Sequence, residues 1–237
     1  MITHLFKHVS NNYADWIGVL TSSAMPPIHH RDPGVIGLLG DPSRSPYYGI
    51  IVDGLHSHPN TVRIAYGAKK EGCILVTDGK RPPDVTYCDK NSPPAQSPMD
   101  PNLPDGEHQW GTRPGVTFRK EGHAVYVGGT TTLAGSCCPL NECLQNLSTY
   151  ASIPLPEAIL TATMRPAQML GPAIAEHKGK LEEGFDADLC ILGWDGSVKS
   201  TWIMGHEVWR TEQLGDVGEG DYLGSVFRGK EGLVNGH

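Results

Sequence analysis

The sequence predicts an α/β fold of parallel strands joined by helices, followed by a compact β module. Two observations predict it. A strand-helix-strand unit spans residues 47–78, and each of its strands ends in a polar residue. Beyond Gly171 the texture changes to short β-rich runs around glycine turns. The first strand, Tyr47-Tyr-Gly-Ile-Ile-Val-Asp-Gly54, is rich in β-branched residues. Residues 59–70 follow, with Val62, Ile64, Ala65 and Ala68 at helical spacing, Pro59 near the start and Gly72 just past the end. Cys73-Ile-Leu-Val-Thr77 is the second buried strand and stops at Asp78-Gly79.

Residues 80–115 lack apolar periodicity and hold eight of the nineteen prolines, which predicts a surface excursion. Residues 116–119 and 123–127 read as a hairpin, 130–136 as a small-residue loop, and 139–150, 155–163 and 166–170 as helices. Residues 188–192, 198–203 and 207–210 are strand candidates, the last two around a Gly205-His206 turn. The Gly-rich tail, 211–237, has too little apolar material to order itself firmly.

Composition narrows the function. With 26 acidic against 19 basic residues the net charge is −7, and no basic stripe could track a nucleic acid. No apolar run approaches the ~20 residues that cross a bilayer, and the start lacks a signal-peptide layout, so a cytoplasmic protein is expected. The six cysteines form no C-x-x-C pair. They are expected to be reduced, with Cys137 and Cys138 as small packing residues.

In a parallel barrel, a polar residue at the C-terminal end of a strand faces the active-site mouth. His56 and Asp78 hold such positions. A carboxylate at Asp78 suits general base and acid work on a metal-bound water, or it caps the next turn. His56-Ser57-His58 has the spacing of a metal pair, but Pro59 assigns His58 to the helix entry. His29-His30-Arg31 is a cationic spot, with Arg31 suited to a phosphate or simply solvated.

Thr3-His-Leu-Phe6, Ala24-Met-Pro26, His30-Arg-Asp-Pro-Gly34, Tyr48-Gly-Ile-Ile-Val-Asp-Gly-Leu-His56, Leu75-Val-Thr-Asp78 and Thr132-Leu-Ala-Gly-Ser136 follow one another along the chain. Together these motifs resemble those of the N-acetylglucosamine-6-phosphate deacetylases of the amidohydrolase superfamily. Gly179-Lys-Leu-Glu-Glu-Gly-Phe-Asp-Ala-Asp188 and Gly205-His-Glu-Val-Trp209 look like the small β module of many amidohydrolases. The resemblance implies a partial (β/α)8 TIM-type barrel of the metal-dependent amidohydrolase type, plus C-terminal strands of a small β-sandwich module.

The resemblance also implies a reaction, hydrolysis of N-acetylglucosamine 6-phosphate to glucosamine 6-phosphate and acetate. By it, His4 matches a ligand of a divalent metal, zinc or another transition metal, and Asp78 matches the general base. Ala24 and His56 match substrate-contacting positions, Leu133, Ala134 and Gly135 a substrate-contacting loop, and Arg31 an arginine that reaches the phosphate across a homodimer. A complete barrel takes about 250 residues. This chain is therefore expected to be the C-terminal portion of a longer enzyme, with the remaining metal ligands outside it. Residues 7–23 interrupt the family pattern and read as an insertion. The expected division is a barrel portion at 1–175, the β module at 176–210 and the tail at 211–237. A different amidohydrolase and a non-catalytic half-barrel are the competing readings.

Overall fold

The computed structural model describes residues 16–20, 29–43, 45–77, 103–109 and 115–211. The chain divides into two compact units, 1–186 and 187–237.

In the first unit, β1 (Trp16–Leu20), β2 (Tyr47–Ile51) and β3 (Cys73–Val76) form a parallel sheet in the order β1-β2-β3. Tyr48 pairs with Cys73 and Ile51 with Val76. β1 lies inside the segment read as an insertion, so that stretch contributes a strand beside β2. Tyr48, Ile50, Ile51 and Val52 are all at most 1% exposed, the burial on both faces that a parallel sheet demands.

Helix α1 (Pro59–Ala68) crosses from β2 to β3. His58 is its N-cap, its Nδ1 accepting from the Asn60 N–H at 3.1 Å, and Pro59 takes a first-turn position where no N–H is needed. The helix buries Val62, Ala65 and Tyr66, whereas Ile64 is 63% exposed. The buried face therefore runs through an i, i+3, i+4 stripe displaced from the expected one. The helix ends at Ala68, and residues 70–72 complete a 3-10 turn.

Helices α2 (Leu140–Ala151), α3 (Leu155–Leu160), α4 (Met164–Leu170) and α5 (Pro172–Ala175) follow. α3 is shorter than expected and α4 begins earlier. α2 buries Cys143, Leu144 and Leu147 against α1 and the sheet. It ends at Ser152, which takes the left-handed conformation, and Arg63 Nε donates to the Tyr150 carbonyl in its last turn. The Thr161 carbonyl accepts from the Leu75 N–H at 3.0 Å, so an edge group of β3 is satisfied by the α3–α4 link.

Between β3 and α2 stands an antiparallel meander, β4 (Gly106–Gln109), β5 (Thr117–Glu121), β6 (Ala124–Val127) and β7 (Leu133–Ser136). It has its own small core of Leu103, Phe118 and Val125. β5 and β6 are the expected hairpin. β4 belongs to the stretch expected to be an excursion, and β7 to the stretch expected to be a loop. Both pair through backbone groups, which small and polar residues supply as well as apolar ones.

In the second unit, β8 (Leu189–Leu192), β9 (Val198–Ile203) and β10 (His206–Arg210) form an antiparallel sheet with β9 central. Met204 and Gly205, both at positive φ, make the two-residue turn that matches strand twist. Among the described residues, no helix is long and apolar enough to cross a membrane.

Candidate active site

The parallel sheet delivers Asp53 and His56 just past the end of β2. Asn146 of α2 holds the Val52 carbonyl through Nδ2 at 3.0 Å. Gly54, at φ +79°, then turns the chain back on itself, a conformation that an L side chain rarely adopts. The turn brings the N–H groups of Leu55 and His56 onto Asp53 Oδ1, each at 2.9 Å. Asp53 Oδ2 meets His56 Nδ1 at 2.6 Å.

The Asp53 side chain is 1% exposed and that of His56 21%. Burial by itself would raise the Asp53 carboxyl, but the His56 ring bond and the two backbone N–H bonds outweigh it and hold the group well below the usual carboxylate range. An ionised carboxylate only accepts, so the proton of this bond sits on His56 Nδ1. Asp53 thereby fixes both the orientation and the tautomer of His56. Sequence reasoning passed over Asp53. The available signal was an Asp-Gly turn closing a buried strand, with histidine three residues after the aspartate.

The other predicted residues fall on separate elements. Leu133, Ala134 and Gly135 lie along β7, where Leu133 pairs with Tyr126 and Gly135 with Val125, and Ala134 packs on the Phe118 core. Arg31 is exposed in the 29–32 turn. Its Nε donates to His30 Nε2 at 3.1 Å, and its backbone N–H to His29 Nδ1 at 3.3 Å. His4, Ala24 and Asp78 lie outside the described residues. A surface hollow of about 550 Å³ on the meander is lined by Glu107, Arg119, Gly129, Thr130 and Thr131, and by none of the predicted residues.

One group among the described residues offers metal-binding donors. His123 in the β5–β6 turn, Cys138 after β7 and Glu142 in the first turn of α2 bring a ring nitrogen, a sulfur and a carboxylate oxygen within 4.8 Å of one another. His123 Nε2 and Glu142 Oε2 are 2.7 Å apart. Cys143 Sγ is 3.7 Å from Cys138 Sγ, and the charge of Asp53 acts on both thiols.

Residues 46–208 match the amidohydrolase family. The chain is 38% identical over 213 residues to the N-acetylglucosamine-6-phosphate deacetylase of Danio rerio, covering 88% of this chain and 43% of that protein. It is 35% identical over 218 residues to the enzyme of that name from Mus musculus, covering 90% and 44%. The chain thus spans less than half the length of these curated relatives. Its fold superposes on the crystal structure of the Pasteurella multocida N-acetylglucosamine-6-phosphate deacetylase with a TM-score of 0.64, at 25% identity, over 84% of this chain and 45% of that one. With a parallel sheet that ends in a braced histidine and a family match over most of its length, this chain belongs to the amidohydrolase family.

Proposed function

We propose that this chain carries part of the catalytic apparatus for hydrolysing the N-acetyl group of N-acetylglucosamine 6-phosphate, giving glucosamine 6-phosphate and acetate. The observation that carries this reading is the Asp53–His56 pair at the end of β2, in a chain similar to proteins named for that reaction. With Nδ1 committed to Asp53, the ring acts toward substrate through Nε2. His56 positions the sugar there, and Asp78, two residues past β3, moves the proton from the attacking water to the leaving amine. Arg31 binds the phosphate of a neighbouring subunit's substrate, and Ala24 with Leu133, Ala134 and Gly135 shapes the sugar pocket.

A divalent metal in this family polarises the amide carbonyl and acidifies water. Near His56 the described residues offer no complete ligand set for it, and the matched ligand His4 lies outside the described residues. We assign the barrel chemistry to residues 1–175 and a supporting role to the β module at 176–210. The work is placed in the cytoplasm, in keeping with five free cysteines among the described residues.

The test is acetate release from N-acetylglucosamine 6-phosphate by the purified chain with added divalent metal, beside Asp78→Asn. Release that disappears in Asp78→Asn is the expected result. An Asp78→Asn chain that retains full activity refutes the assignment, whereas folded protein that releases no acetate marks this polypeptide as an incomplete enzyme.

A further inference from the structure

We propose that His123, Cys138 and Glu142 form a binding site for a thiophilic divalent transition metal of the zinc class, separate from the family's catalytic ion. His123 in the β5–β6 turn meets Cys138 and Glu142, which lie four residues apart where the loop after β7 enters α2. A hydrogen-bonded pair such as His123–Glu142 is common on surfaces and needs no ion. The third donor distinguishes this group, because Cys138 is a buried sulfur, 5% exposed, set against that pair.

The donor set suits the metal class. Zinc takes imidazole nitrogen, thiolate sulfur and carboxylate oxygen at about 2.0–2.3 Å, which separates tetrahedral donors by roughly 3.3–3.8 Å. Donors already within 4.8 Å of one another need shifts of only about an ångström to reach that arrangement. A thiolate among the ligands selects zinc-like ions over magnesium or calcium.

The surroundings support the site. The Cys138 N–H donates to Ser136 Oγ at 3.1 Å, which fixes the loop, and Cys143 Sγ lies 3.7 Å from Cys138 Sγ. The side chains of His123 and Glu142 are 42% and 45% exposed, so an ion enters from solvent and meets the buried sulfur last. Three protein ligands leave the fourth position to water. The bound ion would clamp the hairpin onto α2, the helix that also holds the Val52 carbonyl just before Asp53.

The ligand matched to the catalytic metal, His4, contributes no sulfur, so a sulfur-to-metal signal reports on the proposed site. The full chain in a Cys190→Ser background, which removes an exposed thiol, is stripped with chelator and titrated with cobalt(II). The expected result is a sulfur-to-cobalt charge-transfer band that saturates at one equivalent and is lost in Cys138→Ser. Losing even an outer-shell partner weakens metal binding about 10–100-fold, so Glu142→Gln, at a half-exposed position that leaves the fold intact, should cost at least about tenfold in affinity. Absence of the band, its persistence in Cys138→Ser, or unchanged affinity in Glu142→Gln overturns the proposal.

Discussion

Asp53→Asn isolates the bond on which the candidate site rests. The substitution keeps the shape and retains one oxygen to accept the Leu55 and His56 N–H groups, but it sets an amide N–H₂ against the proton on His56 Nδ1. The imidazole must then move its proton to Nε2 or lose the bond. Hydrogen bonds to charged groups contribute about 1.5–3 kcal/mol, and two further bonds lose their charge assistance, so the expected destabilisation at neutral pH is about 2–3 kcal/mol. For a chain of this size that lowers Tm by roughly 5–10 °C.

The pH dependence follows from the depressed Asp53 carboxyl. Its contribution is fully present above the unfolded-state value of about 3.9 and is lost as pH falls below it toward the folded-state value. The wild-type advantage over Asp53→Asn, measured by urea unfolding, should shrink as pH falls below about 4. A double-mutant cycle with His56→Ala should give a coupling energy above about 1 kcal/mol. An advantage that does not diminish below about pH 4, or a coupling near zero, refutes the reasoning.

Two further stability predictions follow from burial. Leu147→Ala empties a site that is 0% exposed between α2 and the sheet, and should cost about 2–5 kcal/mol in the urea midpoint analysis. Burial pushes the Cys73 thiol up to about 11 from its ordinary 9.0. The unfolded chain therefore releases that proton first, and the urea midpoint should fall between about pH 9 and 11 in the wild type, less so in Cys73→Ala.

Local signals carried the parallel unit. β2, α1 and β3 are legible because a buried strand, a proline-started helix and a second strand each declare themselves within a few residues. His58 as helix cap follows from its place before Pro59. The stripe that α1 buries was displaced from the expected one, since periodicity says that a helix has an apolar side but not which partner it meets.

The meander was only half visible. The β5–β6 hairpin announced itself through alternation around a glycine turn, whereas β4 in the proline-rich stretch and β7 in a run of small residues carry no apolar pattern. Their pairing is made by backbone groups brought together from afar, and no side-chain periodicity records it.

The sequence alone determined the class of the chain, the course of its parallel unit and His56 as a candidate site residue, because strand ends and family motifs are local properties. Tertiary structure decided what His56 is bonded to and how it is held, through a carboxylate that reads locally as an ordinary Asp-Gly turn. It also decided that Cys138, expected only to pack, stands against His123 and Glu142. Which donors share a point in space depends on how separate elements dock, and that information is carried by packing between them rather than by any one segment.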